Sequence, residues 1–225
     1  IQGRHVRAEQ VHAAIEAAAS GPVRECAVGA GTGTTCFGWK GGIGTASRRL
    51  PPEGGGYTVG ALVQSNFGRA PDLTICGTPV GRHLVPPGTI SRAGAERGSI
   101  MIVLATDAPL DARQLGRLAV RATAGLARAG SQLGHGSGDF VIAFSTAHRI
   151  PHVAPALTRN ETVLLDEARA MHGLFPGVVE SVEEAILNSL CRAETVTGRD
   201  GHIRHALPVE EVCRLVGEHE VSTRR

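Results

Sequence analysis

A run of six apolar residues, from Ile100 to Ala105, constrains the fold of this chain more than any other segment. Such an unbroken run is typical of a strand that is buried on both faces inside a sheet. Gly98 and Ser99 come directly before it, after a segment at 86–96 that is poor in large apolar side chains and predicts a loop. Ser99 is therefore either an ordinary residue at the start of a strand, or the first residue of a second polypeptide made when the chain cuts itself at Gly98–Ser99.

The segments on either side of this strand predict an α/β fold. A glycine-rich strand or hairpin is predicted at residues 40–49, a strand of good β-propensity at 57–65, and a second buried strand at 140–144. The clearest helix, at 111–129, has Asp111 as its N-cap. Other helices are predicted, from apolar periodicity and capping signals, at 8–20, 162–173, 181–191 and 208–216. Strands that alternate with helices imply helices layered on a sheet, within a single domain.

Composition argues against several classes of partner. The formal net charge of +2 is too small to indicate binding to nucleic acid or to an anionic membrane surface, and aromatic residues, at 3%, offer few platforms for stacked bases. No apolar run approaches the ~18 residues of a membrane helix, and no signal segment opens the sequence. The five cysteines never form a Cys-x-x-Cys pair. We therefore expect neither a disulfide framework nor a zinc site, and a reducing, cytoplasmic location.

Two motifs could suggest a bound nucleotide or a bound metal, but neither has the residues that such a site needs. The glycine cluster at 29–34 lacks the lysine and Ser/Thr of a phosphate-binding loop, and a predicted strand follows it where a nucleotide site needs a helix. His202 and His205 have no carboxylate or cysteine at metal-ligand spacing. We therefore expect neither a bound nucleotide nor a metal.

Three junctions place small polar residues at the ends of apolar strands, where a rigid scaffold can aim them. They are Gly98-Ser99, Ser137-Gly138-Asp139 and Ser65-Asn66, and ordinary turn chemistry is the alternative explanation for each. Ser137 is not a nucleophile elbow, because His135 occupies the position where Gly-x-Ser-x-Gly needs glycine, and a helix precedes it where a strand is required. A Ser-His-Asp triad that uses one of the ten histidines, with His135 the one in such a cluster, stays open at this point.

The residues at these junctions carry a resemblance to a known family. Asn66 and the segments 36–48, 98–107 and 134–140 resemble the L-aminopeptidase D-amidase/D-esterase and β-peptidyl aminopeptidase family, and the likeness covers nearly the whole chain. The resemblance implies a precursor that cuts itself between Gly98 and Ser99. It also implies roles for four residues: Ser99 as the nucleophile, Ser137 as an accessory serine, Asp139 as its acidic partner, and Asn66 as the oxyanion-hole asparagine.

The same resemblance implies the architecture. The fold would be a four-layer α-β-β-α sandwich of two stacked sheets flanked by helices, like that of ornithine acetyltransferase, assembled as a tetramer of processed heterodimers. Because the chain opens with Ile1 and not methionine, we expect residues 1–225 to be the C-terminal part of a longer precursor. Residues 1–98 would end the α subunit and residues 99–225 would form the β subunit. The tyrosine that the family uses would precede Ile1, since Tyr57 is too close to Asn66.

The expected chemistry needs no metal or organic cofactor. The α-amine of a chain that begins at Ser99 has an ordinary pKa of ~7.7–8.0, so it is partly neutral near pH 7 and can take the proton of the adjacent hydroxyl. Asn66 would donate to the developing oxyanion, and Asp139 would hold the amine or orient Ser137. The resemblance implies substrates that are small peptides, amides and esters, from which an N-terminal residue is removed. The sequence does not distinguish L-α, D- and β-residues.

The sequence is also compatible with two other functions. One is an acyltransferase like ornithine acetyltransferase, although those enzymes begin their second chain with threonine where this chain has Ser99. The other is a non-catalytic assembly protein of the same fold. Processing and a hydrolase assay distinguish all three.

Overall fold

The computed structural model describes residues 5–88 and 98–223, so most of the loop predicted before Ser99 lies outside the described residues. The helices of the described residues are α1 (Ala8–Glu16), α2 (Ala112–Arg128), α3 (Glu167–Cys191) and α4 (Val209–Thr223). Their strands are β1 (Thr35–Cys36), β2 (Trp39–Lys40), β3 (Ile43–Arg49), β4 (Thr58–Asn66), β5 (Ser99–Thr106), β6 (Phe140–Ser145), β7 (Val196–Thr197) and β8 (Ile203–Arg204). These elements form the α/β fold that the sequence predicts.

The main sheet has the strand order β3-β4-β5-β6. β4 pairs antiparallel with β3 and β5, whereas β6 runs parallel to β5. A parallel pair needs a crossover connection, and α2 supplies it. β1–β2 and β7–β8 are separate two-stranded antiparallel pairs. The register places Asn66, the last residue of β4, opposite Ser99, the first residue of β5.

The core lies between this sheet and one layer of helices. α3 packs on β3 and β4, and α2 packs on α3 and β6. Alternate residues of β5, Ile100, Ile102 and Leu104, are buried in this layer. Burial of such a side chain contributes about 1.5–3 kcal/mol. β3 approaches α3 so closely that an added Cβ at Gly44 would lie 1.9 Å from the carbonyl oxygen of Ala185. Only glycine fits there.

The prediction that the strands at 100–105 and 140–144 are buried was wrong for one face of the sheet. Met101 on β5 is 41% exposed, and Phe140, Ile142 and Phe144 on β6 are also exposed. The two apolar runs meet on the same sheet, but the described helices cover only one side of it. The uncovered side is therefore an apolar surface. One layer of helices on one side of the sheet does not bury it.

The C-terminal half contains one long helix where two were predicted. α3 runs without interruption from Glu167 to Cys191 and includes Pro176, which cannot donate a backbone hydrogen bond. A proline inside a helix costs about 3 kcal/mol, but the buried apolar side chains of α3 each return about 1.5–3 kcal/mol, so the helix continues. Ser181, predicted to open a capping box, is fully buried within it.

The other predicted elements differ from the structure mainly at their ends. α2 was predicted correctly, and the Asp111 side chain accepts a hydrogen bond from the Gln114 backbone N–H at 2.7 Å. Residues 40–49 divide into β2 and β3, because Gly42 has a φ of +155° between them. α1 ends at Glu16, and none of its residues is buried. α4 extends the predicted helix to 223.

α2 and α3 are also joined by ion pairs. Glu167, the first residue of α3, contacts Arg113 and Arg117 of α2. The Arg113 guanidinium lowers the pKa of Glu167 to about 2. Across the described residues, no helix is long and apolar enough to cross a membrane.

Candidate active site

The three polar junctions of the sequence meet at one end of the main sheet. Ser99 faces Asn66 across the β4–β5 ladder, and Gly98 pairs with Ser137 in a parallel bridge just before β5 and β6 begin to pair. Because these strands are buried on the helical side, their ends are held rigidly relative to one another. The structure thus brings together all five residues that the sequence analysis selected, with Asp139 two residues beyond Ser137.

The Ser99 hydroxyl lies between two backbone groups. Its Oγ donates to the carbonyl oxygen of Gly98 at 2.6 Å and accepts from the backbone N–H of Gly138 at 3.1 Å. Ser99 itself is only partly buried. The contacts place the hydroxyl beside the Gly98–Ser99 peptide group.

Asp139 forms a hydrogen bond with Ser137. The Ser137 Oγ donates to Asp139 Oδ1 at 2.5 Å, a distance within the range of hydroxyl–carboxylate hydrogen bonds. Of the two roles expected for Asp139, this contact concerns the orientation of Ser137, and that role stays a prediction. In the described residues, no hydrogen bond joins Ser137 to the Ser99 hydroxyl.

The side-chain amide of Asn66 is held by one hydrogen bond to its oxygen atom. Oδ1 accepts a hydrogen bond from the backbone N–H of Thr35 at 3.1 Å. That bond identifies which end of the amide is oxygen, and it leaves the Nδ2 donor for another acceptor. Within residues 5–88 and 98–223, no group accepts from Nδ2. Asn66 is paired with Ser99 in the β4–β5 register, so a side-chain amide with no acceptor among the described residues lies on the strand residue opposite the serine.

Gly98 occupies a position that only glycine can take. Its φ is +148°, a conformation that side chains disfavour, and an added Cβ would lie 2.1 Å from the carbonyl oxygen of Asn66. The peptide that would be cut is therefore pressed against the end of β4, next to the asparagine amide.

A Ser-His-Asp triad is not assembled here. His135 is exposed, and among the described residues no imidazole hydrogen bonds to Ser99 or Ser137. The described residues also contain no group of three or more His, Cys, Asp and Glu side chains that could hold a metal ion.

Sequence patterns do not reveal the parts of the site that act through the backbone. Thr35 and Gly138 each offer an N–H, which leaves no mark in a sequence beyond the glycines and turns around it. The hydrogen bonds of the neighbouring Ser65 are likewise invisible in the sequence. The Ser65 hydroxyl lies 2.8 Å from the Ser189 hydroxyl of α3 and accepts from the Gly42 backbone N–H at 3.1 Å. These bonds fix the end of β4 on the helical layer.

Comparison with known proteins identifies the family of this chain. The model for peptidase family S58 matches residues 1–204. The β-peptidyl aminopeptidase BapA of Sphingosinicella microcystinivorans is 44% identical over 232 residues, which cover 97% of this chain and 58% of that protein. The structure of the PH0078 protein from Pyrococcus horikoshii OT3 is similar with a TM-score of 0.85 and 48% identity, over 97% of this chain and 59% of that one.

A third relative links the family to a fold. The L-aminopeptidase D-Ala-esterase/amidase of Ochrobactrum anthropi, described as a prototype of the serine aminopeptidases with a variant of the Ntn hydrolase fold, has a TM-score of 0.84 and 39% identity. The alignment covers 97% of this chain and 59% of that one. The chain thus spans less than two thirds of the length of each of these relatives. On the extent of the family match and the identity to its members, this chain belongs to peptidase family S58.

Proposed function

We propose that the gene product that carries this chain is a self-processing serine aminopeptidase. It cuts itself between Gly98 and Ser99, and Ser99 then hydrolyses N-terminal residues from small peptides, amides and esters. One observation carries the proposal: the Ser99 Oγ lies between the Gly98 carbonyl and the Gly138 N–H, and Asn66, opposite Ser99 in the β4–β5 ladder, has an amide donor with no acceptor among the described residues. Membership of an aminopeptidase family supports it.

Self-cleavage follows from this arrangement by an N-to-O acyl shift. The Ser99 Oγ attacks the carbonyl carbon of Gly98, and the oxyanion that forms is stabilised by an amide donor. The Gly98–Ser99 C–N bond then breaks, the nitrogen takes a proton, and Gly98 is left as an ester on Ser99. Water hydrolyses the ester and leaves a carboxylate on Gly98 and a free α-amine on Ser99.

The new amine supplies the base for turnover. With an ordinary pKa of ~7.7–8.0 it is partly neutral near pH 7, and it is tethered to the same residue as the nucleophile. It takes the hydroxyl proton as Ser99 attacks the substrate carbonyl, and it returns a proton to the leaving amine. Asp139 orients the Ser137 hydroxyl, which completes the polar surroundings of Ser99.

The two pieces remain one folded unit after cleavage. Residues 1–98 form the end of an α subunit and residues 99–225 a β subunit, and the β4–β5 ladder joins them along its whole length. The exposed apolar face that contains Met101, Phe140 and Ile142 receives a second sheet from the rest of the gene product. This gives the α-β-β-α sandwich resembling ornithine acetyltransferase. Four processed heterodimers assemble into a tetramer.

The proposal is tested with the complete gene product. Intact mass and N-terminal sequencing should detect a fragment that begins at Ser99, and the purified protein should release chromophore from a panel of L-α-, D- and β-aminoacyl anilides. A chain that stays intact across the 98–99 bond with full activity contradicts the mechanism. Release of ornithine from acetylornithine without anilide hydrolysis would indicate the acyltransferase alternative, and an uncut, inactive chain would indicate an assembly protein.

Replacing Gly98 by alanine should slow processing by at least about 100-fold, because small displacements of reacting groups cost that much. The added methyl would overlap the Asn66 carbonyl oxygen, 2.1 Å away, and push the 98–99 peptide out of place. The measurement is the uncut fraction over time by intact mass. Gly77→Ala is the matched control, since Gly77 also has a positive φ, of +75°, but open space around it. Equal processing rates in wild type and Gly98→Ala would refute this prediction.

A further inference from the structure

Lys40 stands apart from the other basic residues of the chain. It is the single lysine in the sequence, and it is 1% exposed. Its Nζ donates to three backbone carbonyl oxygens, those of Gly31 at 2.8 Å, Thr34 at 3.2 Å and Gly41. An ammonium group has three N–H donors, so every one of them is used. No carboxylate among the described residues pairs with it.

Burial of a cation without a counter-ion is unfavourable, and it lowers the pKa of the Lys40 ammonium. A neutral side chain of the same length would fill the space without that cost. The three carbonyl contacts are thus the interactions that offset the desolvation of the ammonium. Two of these contacts hold the backbone at Gly31 and Gly41, on either side of the β1–β2 pair. The third contact, with the Thr34 carbonyl oxygen, connects Lys40 to the candidate active site.

That third contact reaches Asn66 through a single peptide group. The Thr34 carbonyl oxygen accepts from Lys40 Nζ and also from the Gly41 backbone N–H at 3.3 Å. The N–H of the same peptide, which belongs to Thr35, donates to Asn66 Oδ1. A rigid, planar amide therefore connects the ammonium to the asparagine. A cation at its oxygen also polarises this amide and strengthens the N–H as a donor.

We propose that Lys40 is a positioning residue for the oxyanion-binding amide of Asn66. Its ammonium holds the Thr34–Thr35 peptide, the peptide N–H holds Oδ1 of Asn66, and the Nδ2 donor is thereby kept facing the oxyanion. The inference rests on the proposed function, because it assumes that Asn66 binds the oxyanion. It assigns to Lys40 no contact with the substrate.

The first test is Lys40→Met, which keeps the length and the apolar stem and removes the three donors. We expect kcat per processed enzyme to fall about 10- to 100-fold with KM within about threefold, because the amide becomes misplaced in the transition state. The processed fraction is measured by intact mass. Arg192→Met is the control, since it removes an exposed cation that pairs with Glu25, and its kcat should be unchanged. A Lys40→Met enzyme with wild-type kcat overturns the inference.

A double-mutant cycle with Asn66→Ala separates positioning from a merely structural role. If Lys40 acts through the Asn66 amide, Lys40→Met should lower kcat by less than about threefold once that amide is gone. If the two losses multiply, the inference is wrong. Where Asn66→Ala leaves too little processed enzyme, the same cycle is read from the rate constant of precursor cleavage.

The remaining outcomes are also decisive. If Lys40→Met does not fold, Lys40→Gln replaces it in the cycle, since its amide keeps donors but not the charge, and the same non-additivity is required. If the wild type is neither processed nor active on the anilides, the proposed function itself fails. If the wild type is active and Asn66→Ala impairs it while the Lys40 variants do not, only the inference about Lys40 fails.

Discussion

Replacing Ser99 by alanine should leave the chain uncut at the 98–99 bond and remove its amidase activity. The substitution deletes the proposed nucleophile for both reactions, and no other hydroxyl lies beside the Gly98 carbonyl among the described contacts. The lost hydrogen bonds, to Gly98 and from Gly138, should reduce stability by only about 0.5–1.5 kcal/mol each. We therefore expect the variant to fold, so that its loss of activity has a chemical cause. Intact mass, thermal unfolding and the anilide assay measure the three quantities.

The control for this variant is Ser222→Ala, which removes the hydroxyl of an exposed serine near the end of α4. It should be processed and active like the wild type. Ser99→Thr adds a second comparison, because it keeps a hydroxyl and should still be cut, though more slowly. A Ser99→Ala protein that is cut at the same bond, or that retains more than a trace of amidase activity, is incompatible with the mechanism.

The second large effect is expected at Asn66. Asn66→Asp keeps an oxygen that can accept from the Thr35 N–H but replaces the Nδ2 donor by a second oxygen. Loss of one oxyanion-hole donor lowers kcat by about 10²- to 10³-fold, or ~2.7–4 kcal/mol, and a negative charge next to the oxyanion should make the loss no smaller. Asn66→Ala should lower kcat by a factor in the same range. Both precursor cleavage and anilide turnover are measured, since both pass through a tetrahedral oxyanion.

Gln64→Glu provides the matched control for Asn66→Asp. Gln64 lies two residues earlier on β4, is also partly buried, and donates through its amide to the Ala30 carbonyl oxygen at 3.3 Å. The same change from amide to carboxylate there should leave kcat unaffected. If Asn66→Asp stays within about threefold of the wild type, Asn66 does not bind the oxyanion.

Much of the fold was predictable because it depends on local patterns. The capping residue Asp111 and the apolar stripe that follows it predicted α2, and the apolar run after Ser99 predicted β5. Both signals lie within one element, so neighbours in sequence suffice to read them. Predictions failed where packing opposed a local signal. Pro176 and Ser181 look like a helix boundary, but burial on the sheet carries α3 through both.

The residues of the candidate site were also found in the sequence, from the small polar groups at three strand ends and from the family they resemble. By itself the sequence determined their types: a hydroxyl after glycine at 98, an amide at 66, and a hydroxyl and a carboxylate at 137 and 139. The sequence did not determine how these residues lie relative to one another in space. Only the pairing of β4, β5 and β6 brings these segments together, since Ser137 lies 71 positions after Asn66 in the sequence.

The tertiary structure decided the features that backbone groups create. In each of three contacts one partner is a backbone group: the Asn66 carbonyl that a Gly98 side chain would overlap, the Gly138 N–H on the Ser99 hydroxyl, and the Thr35 N–H on the Asn66 amide. No residue type encodes such contacts, so no sequence pattern reports them. The role of Lys40 has the same origin, because its charge is visible in the sequence but the peptide that links it to Asn66 exists only once the chain is folded.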